Sequence, residues 1–193
     1  MKRYYITDRR RCPSDLLDCI EENARRGVQW VQVREKDLGV RDLLALVRAA
    51  VDRVRPWQAR VLVNGRLDVA LAAGAHGVHL PSRAPPVSAM RRIAPEGFLI
   101  GVSTHIPAEV VRAEREGADL AVFGPVFPTV SKPGLLEIPG LDGLREVCGM
   151  VRMPVAALGG VTEARSSACR AAGAAAIAGI GMFQAPGIAG DSR

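Results

Sequence analysis

The sequence predicts a compact (β/α)8 TIM barrel, and three observations predict it. One local pattern returns four times along the chain. Apolar strand-like runs alternate strictly with amphipathic stretches. Eight such units fit within 193 residues. The recurring pattern is a helix-like stretch, a glycine, then a short apolar run. Gly27 precedes VQWVQVR (with Val28 first), Gly74 precedes AHGVHL, Gly117 precedes ADLAVFG and Gly173 precedes AAAIAGIG. These glycines lie 47, 43 and 56 residues apart. A glycine after the last helical turn takes positive φ without a Cβ clash, so it ends a helix and releases the chain into a strand.

Further apolar runs alternate with these four: Tyr4-Tyr5-Ile6-Thr7, Val61-Leu62-Val63, Phe98-Leu99-Ile100-Gly101-Val102 and Pro154-Val155-Ala156-Ala157-Leu158. Together they make eight short strands. Amphipathic stretches separate them. Arg41–Val54 carries Leu43, Leu44, Val47 and Val51 at helical spacing, and Pro107–Arg115 and Leu141–Val147 behave alike. Strict β-then-α alternation implies a parallel sheet with right-handed crossovers. Eight units favour closure into a barrel over an open doubly wound sheet. The last unit is expected to be shortened, because few residues follow Ile180. No linker or low-complexity tract interrupts the pattern, so residues 1–193 are expected to form one domain.

Composition bounds the function. Hydrophobic residues make up 48% of the chain, enough for a packed core. The formal charge is +6, and all the basic residues except Lys2, Lys36 and Lys132 are arginine. The arginines are scattered, apart from Arg9–Arg11 and pairs such as Arg25–Arg26, so the charge alone implies no polyanionic partner. Aromatic residues are only 4%, which argues against reading single-stranded nucleic acid by stacking. Cys12, Cys19, Cys148 and Cys169 contain no C-x-x-C pair. There is no apolar run of 18 residues. The expectation is a cytoplasmic protein with reduced thiols, no membrane span and no nucleic-acid partner. A phosphate-binding P-loop and a G-x-S-x-G elbow are both absent.

A barrel of this class builds its site at the C-terminal ends of its strands. Reading the strand ends in order gives the candidates. Gln32, Arg34 and Lys36 follow the second strand and alternate, so they share a face and suit an anion. Asn64 follows the third strand, His79 ends the fourth and Ser103 with His105 ends the fifth. Thr129, Ser131 and Lys132 lie in the loop after the sixth. Gly159 and Gly160 follow the seventh, and Gly179 and Gly181 follow the eighth. Glycine loops before helices suit a phosphate held by backbone N–H groups. His79 and His105 are candidate acids or bases, whereas His76 precedes a strand and is expected to be inert. No His, Cys or acidic residues stand at metal-site spacing, so no metal ligand is expected.

The strand-end loops also carry a resemblance. YYITD, QVREK, VNGRLDVA, GAHGVHLPS, GVSTH, FGPVFPTVSK and ALGGV occur in this order. Together, from Tyr4 to Phe183, the chain resembles the thiamine phosphate synthase and TenI superfamily. The resemblance implies a (β/α)8 barrel. It implies Gln32, Arg34 and Lys36 on a pyrimidine diphosphate, Asn64 on the pyrimidine, and Ser103 and Lys132 on pyrophosphate. Thr129 and Ser131 would line the thiazole, with Gly160 and the eighth-strand loop on the thiazole phosphate.

Two departures shape the expected function. The synthase pattern implies two aspartates that bind Mg²⁺. Here the aligned positions are Gly65 and Ala84, and no acidic residue lies between His79 and Glu96. Asn64-Gly65-Arg66 with Leu80-Pro81-Ser82 looks like the TenI branch, which the resemblance links to thiazole tautomerase activity without a cofactor. That branch carries a histidine in the sixth-strand loop, where this chain has Gly124-Pro125-Val126-Phe127. The expectation is a TenI-like tautomerase acting on a phosphorylated thiazole, with His105, His79 or Lys132 as catalytic groups. The alternatives are a thiamine phosphate synthase using Mg²⁺, or a non-catalytic phosphate-ligand binder. A homo-oligomer is a further expectation.

Overall fold

Every expected strand forms in the computed structural model, which describes residues 1–129 and 138–184. The strands are β1 Lys2–Ile6, β2 Trp30–Val33, β3 Arg60–Asn64, β4 Gly77–Leu80, β5 Leu99–Thr104, β6 Leu120–Phe123, β7 Val155–Ala157 and β8 Ala176–Gly179. All pair in parallel, each with its neighbour in sequence, and β8 returns to β1 to close the barrel. The interleaved helices are α1 Leu16–Arg25, α2 Val40–Val54, α3 Leu67–Ala72, α4 Val87–Arg91, α5 Pro107–Arg115, α6 Gly140–Met150, α7 Ser166–Ala171 and α8 Gly181–Gln184. Arg9–Arg11 forms a 3-10 turn between β1 and α1.

The four recurring glycines all adopt positive φ, between +68° and +95°. Each therefore ends a helix as the pattern requires. α2 shows why the amphipathic stretches became helices. Leu43, Val47, Ala50 and Val54 recur every three or four residues and are buried, while Arg41, Arg48 and Arg53 stay outside that face. Asp15 caps α1 by accepting the Leu17 N–H at 2.8 Å.

Two apolar layers result. Outward strand residues such as Val31, Val33, Val61, Val63 and Ile100 pack under the helices with Val47, Ala50 and Val54. Inward residues fill the barrel: Tyr4, Ile6, Trp30, Leu62, Leu120, Val122, Ala156, Ala176 and Ala178. Burying each large aliphatic side chain is worth about 1.5–3 kcal/mol. Lys2 lies 4.5 Å over the Trp30 ring. Gly101 belongs to this interior for a steric reason, since a Cβ there would stand 2.9 Å from His79 Nδ1. On the β7 and β8 side the interior residues are alanines, which leaves room above them.

α8 docks at the β1 end of the ring. Gln184 Nε2 donates to the Asp8 carbonyl at 3.0 Å, and Asn23 Nδ2 donates to the Phe183 carbonyl at 3.0 Å. Residues beyond Gln184, on which the expected shortening of the last unit bears, lie outside the described residues.

Candidate active site

The period-two alternation of each strand decides which residues reach the barrel mouth. Ile6 stands beside Gln32, Asn64 beside His79, His79 beside Gly101, and Ser103 beside Val122. Ile6, Gln32, Asn64, His79, Ser103, Val122, Leu158 and Ala178 form the floor of a cavity of about 900 Å³ at the C-terminal ends of the strands. The loops build its walls.

A buried polar chain crosses the floor. Gln32 Nε2 donates to Tyr4 Oη at 3.2 Å, Tyr4 Oη lies 3.1 Å from His79 Nδ1, and His79 Nε2 lies 2.9 Å from Ser103 Oγ. Burial holds the Tyr4 phenol protonated well above its ordinary range. With its oxygen accepting from Gln32, the phenol proton is directed at Nδ1. That places the imidazole proton on Nε2, facing Ser103. Burial, reinforced by the nearby Arg34 charge, brings the His79 pKa down to about 3. His79 is 2% exposed. It is therefore neutral near pH 7, with both ring nitrogens engaged.

One wall is basic. Arg34 and Lys36 follow β2 and line the cavity with Gln32. Their spacing comes from Glu35, which points the opposite way and is buried. The Glu35 carboxylate accepts from Thr7 Oγ1 at 2.6 Å and from the Arg9 N–H at 3.1 and 3.2 Å. It thereby ties the β1 loop to the β2 loop.

A second wall, on the other side of β1, is made of glycines. Gly159, Gly160, Gly179 and Gly181 all line the cavity. Gly160 has φ +61°, and a Cβ there would stand 2.5 Å from the Pro128 carbonyl oxygen. Only glycine fits that approach. The Val126 and Phe127 N–H groups donate to the Leu158 and Gly159 carbonyls at 2.8 and 3.0 Å, which ties the loops after β6 and β7 together. Arg165 Nη1 donates to the Gly160 carbonyl at 2.7 Å and its guanidinium lies over Phe127.

His105 stands on the rim, with Nδ1 at 2.6 Å from the Gly124 carbonyl. A carbonyl only accepts, so Nδ1 carries a proton. His76 lies outside the cavity, where its Nδ1 accepts the Val61 N–H at 3.0 Å. Thr129 lines the cavity as expected. Ser131 and Lys132 lie outside the described residues.

Magnesium requires several oxygen donors, with carboxylates foremost. Glu163 is the one carboxylate among the described residues that line the cavity, and it pairs with Arg3. Asp68 lies outside the lining. Arg66 forks its carboxylate at 2.8 and 2.6 Å and holds its pKa down to about 2. Among the described residues no cluster of three or more His, Cys, Asp or Glu is fit to hold a metal ion. Gly65, with φ +67°, and Ala84 add no donor. The described donor set does not fit a resident divalent cation.

Of the expected residues, the cavity gathers Gln32, Arg34, Lys36, Asn64, His79, Ser103, His105, Thr129, Gly159, Gly160, Gly179 and Gly181. Sequence reasoning missed Arg11 and Arg165, which also line it, and the placements of Tyr4 and Glu35. Arg11 sat within a basic run whose members no periodicity separates. The alternation around Gln32 was the signal available for Glu35. Among the described residues no helix is long and apolar enough to cross a membrane.

Comparison with known proteins bears on this mouth. A family model described as Thiamine monophosphate synthase matches residues 3–183. A relative from Geobacter sulfurreducens is 45% identical, covering 91% of this chain and 83% of its own length. The thiamine-phosphate synthase of Methanoculleus marisnigri is 42% identical, covering 92% of this chain and 84% of its own. A solved structure of thiamine phosphate pyrophosphorylase from Pyrococcus furiosus superposes with a TM-score of 0.87 at 32% identity, covering 97% of this chain and 89% of that one.

Proposed function

The chain belongs to the thiamine monophosphate synthase family, and on that premise we propose that it joins a pyrimidine diphosphate to a thiazole phosphate with release of pyrophosphate. The observation that carries this reading is that one cavity of about 900 Å³ has two walls suited to anions. Arg34 and Lys36 form one, and the Gly159–Gly160 and Gly179–Gly181 loops form the other. A tautomerase substrate would bring only a carboxylate to the first wall, a smaller anion than the diphosphate that Gln32, Arg34 and Lys36 together suit. The names of the similar proteins favour the synthase over the tautomerase expected from the TenI-like loops.

The chemistry follows from that arrangement. Asn64 and Gln32 orient the pyrimidine on the floor. The C–O bond to the diphosphate breaks and its electron pair leaves on oxygen. Arg34 and Lys36 stabilise the departing charge by fixed cations already in place. The thiazole ring nitrogen then supplies the pair for the new C–N bond, so no proton is transferred in this step. His79, neutral and held between Tyr4 and Ser103, orients the Ser103 hydroxyl toward pyrophosphate and is a positioning residue here. The resemblance to the synthase branch implies magnesium. The described donor set does not fit it, and no step here runs through a metal.

The test is incubation of the purified chain with both substrates and Mg²⁺, with product read by mass spectrometry. Thiamine phosphate is the expected product. Binding of both substrates without product would overturn the synthase reading in favour of a binder.

A second reading rests on His105. Its imidazole stands against the Gly124 carbonyl, beside Pro125, where the tautomerase pattern puts its histidine. It predicts aromatisation of a carboxythiazole phosphate, lost in His105→Ala while binding survives. Full activity in that variant removes the assignment.

A further inference from the structure

The run Arg9-Arg10-Arg11 divides by task. Arg9 Nη1 and Nη2 fork Asp37 at 2.5 and 2.6 Å, and Arg9 also reaches Glu35. Arg10 Nη2 donates to Asp37 at 2.7 Å. Arg11 takes part in neither pair. Its guanidinium points into the mouth, where it lines the cavity. It makes no hydrogen bond or ion pair among the described residues. A side-chain carbon built on Gly181 would stand 3.5 Å from Arg11 Nη2. The cation therefore faces the Gly179–Gly181 corner.

The turn that carries Arg11 is held from two sides. On one, Glu35 accepts the Arg9 N–H and the Thr7 hydroxyl. On the other, Gln184 of α8 donates to the Asp8 carbonyl. β1 pairs with both β2 and β8, so the turn sits at the edge of the glycine wall. The backbone of the turn is held there, and the exposed Arg11 guanidinium at the mouth is available to an anion.

We propose that Arg11 is the side-chain anchor for the substrate phosphate at the Gly179–Gly181 corner, and that it makes this corner select a phosphorylated ligand over its free alcohol. This rests on the reading of that wall as the thiazole phosphate site. Backbone N–H groups supply direction but no net charge. A guanidinium supplies charge and a fork that matches two phosphate oxygens. Arg165 cannot take this task while it is engaged with the Gly160 carbonyl and Phe127.

The experiment measures binding of thiazole phosphate, the unphosphorylated thiazole alcohol and inorganic pyrophosphate by calorimetry. The chains compared are the wild type, Arg11→Ala, Arg11→Lys and Arg92→Ala. Arg92 is exposed after α4 and outside the cavity, so its variant controls for lost net charge. Arg11→Ala is expected to weaken thiazole phosphate roughly 10- to 100-fold, as loss of a charge-assisted bond does. It should leave the alcohol within about 2-fold. Arg11→Lys should recover part of the loss, and Arg92→Ala should lose nothing. Unchanged thiazole phosphate affinity in a folded Arg11→Ala chain would overturn the proposal. So would a loss confined to pyrophosphate, which would move Arg11 to the Arg34 wall. The assay contains no pyrimidine substrate. A chain that shows the Arg11 effect but forms no thiamine phosphate would overturn the synthase reading alone.

Discussion

Burial sets the energetics of His79. An exposed histidine protonates near pH 6.5, whereas this one stays neutral until about 3. The unfolded chain therefore binds a proton that the folded chain refuses. The His79 contribution to stability is complete above about pH 6.5 and declines as pH falls toward 3, by about 1.4 kcal/mol per pH unit. His79→Gln retains a hydrogen-bonding amide and loses the titration. The stability advantage of the wild type over this variant is expected to shrink between about pH 7 and pH 4.5 in urea titrations. A gap that does not change with pH would show that His79 protonates freely in the fold. Arg34 gives a second expectation. Arg34→Ala should weaken inorganic pyrophosphate binding roughly 10- to 100-fold. In the wild type, a chelator should leave that affinity within about 2-fold, because Arg34 and Lys36 supply the charge. A strict requirement for Mg²⁺ would show that a metal site escapes the donor set described.

Between elements, the joint between the β1 and β2 loops depends on Glu35. Its buried carboxylate collects the Thr7 hydroxyl and the Arg9 backbone and guanidinium. Truncating one member of such a buried set leaves the others unsatisfied, which costs about 2–3 kcal/mol here because Arg9 is partly exposed. Glu35→Ala is expected to lower unfolding free energy by that amount. It should also weaken thiazole phosphate binding, since the Arg9–Arg11 turn loses its anchor. Stability lost with no change in affinity would place Arg11 outside the network that Glu35 organises.

Closure of the ring is the property of the whole molecule. β8 pairs with β1 across four residue positions, Lys2↔Ala176 through Tyr5↔Gly179. No described strand is left with a free edge. The outward layer divides into one cluster over β1–β5 and another over β6–β8, and the inward layer joins residues of β1, β2 and β3 to residues of β6, β7 and β8. Ring closure and the common interior tie these two clusters together. Unfolding followed by tryptophan fluorescence and by far-ultraviolet circular dichroism is expected to give coincident transitions. Trp30 reports the barrel interior, the exposed Trp57 reports the turn after α2, and the dichroism reports the helices. Separated transitions would reveal two independently folding units within residues 1–193.

By itself the sequence determined the barrel, the strand ends and most of the mouth. These depend on local rules: a glycine that ends a helix at Gly27 or Gly173, an alternation that puts Gln32 and Arg34 on one face, a helical period in α2. Local rules act over a few residues and survive in one dimension. The tertiary structure alone decided the rest. It separated Arg11 from Arg9 and Arg10, linked Tyr4 to a histidine 75 residues away, and left Asp68 with Arg66 rather than at the mouth. Pairing of charges and desolvation of an imidazole depend on which groups closure brings together across the ring. No spacing along the chain records that proximity.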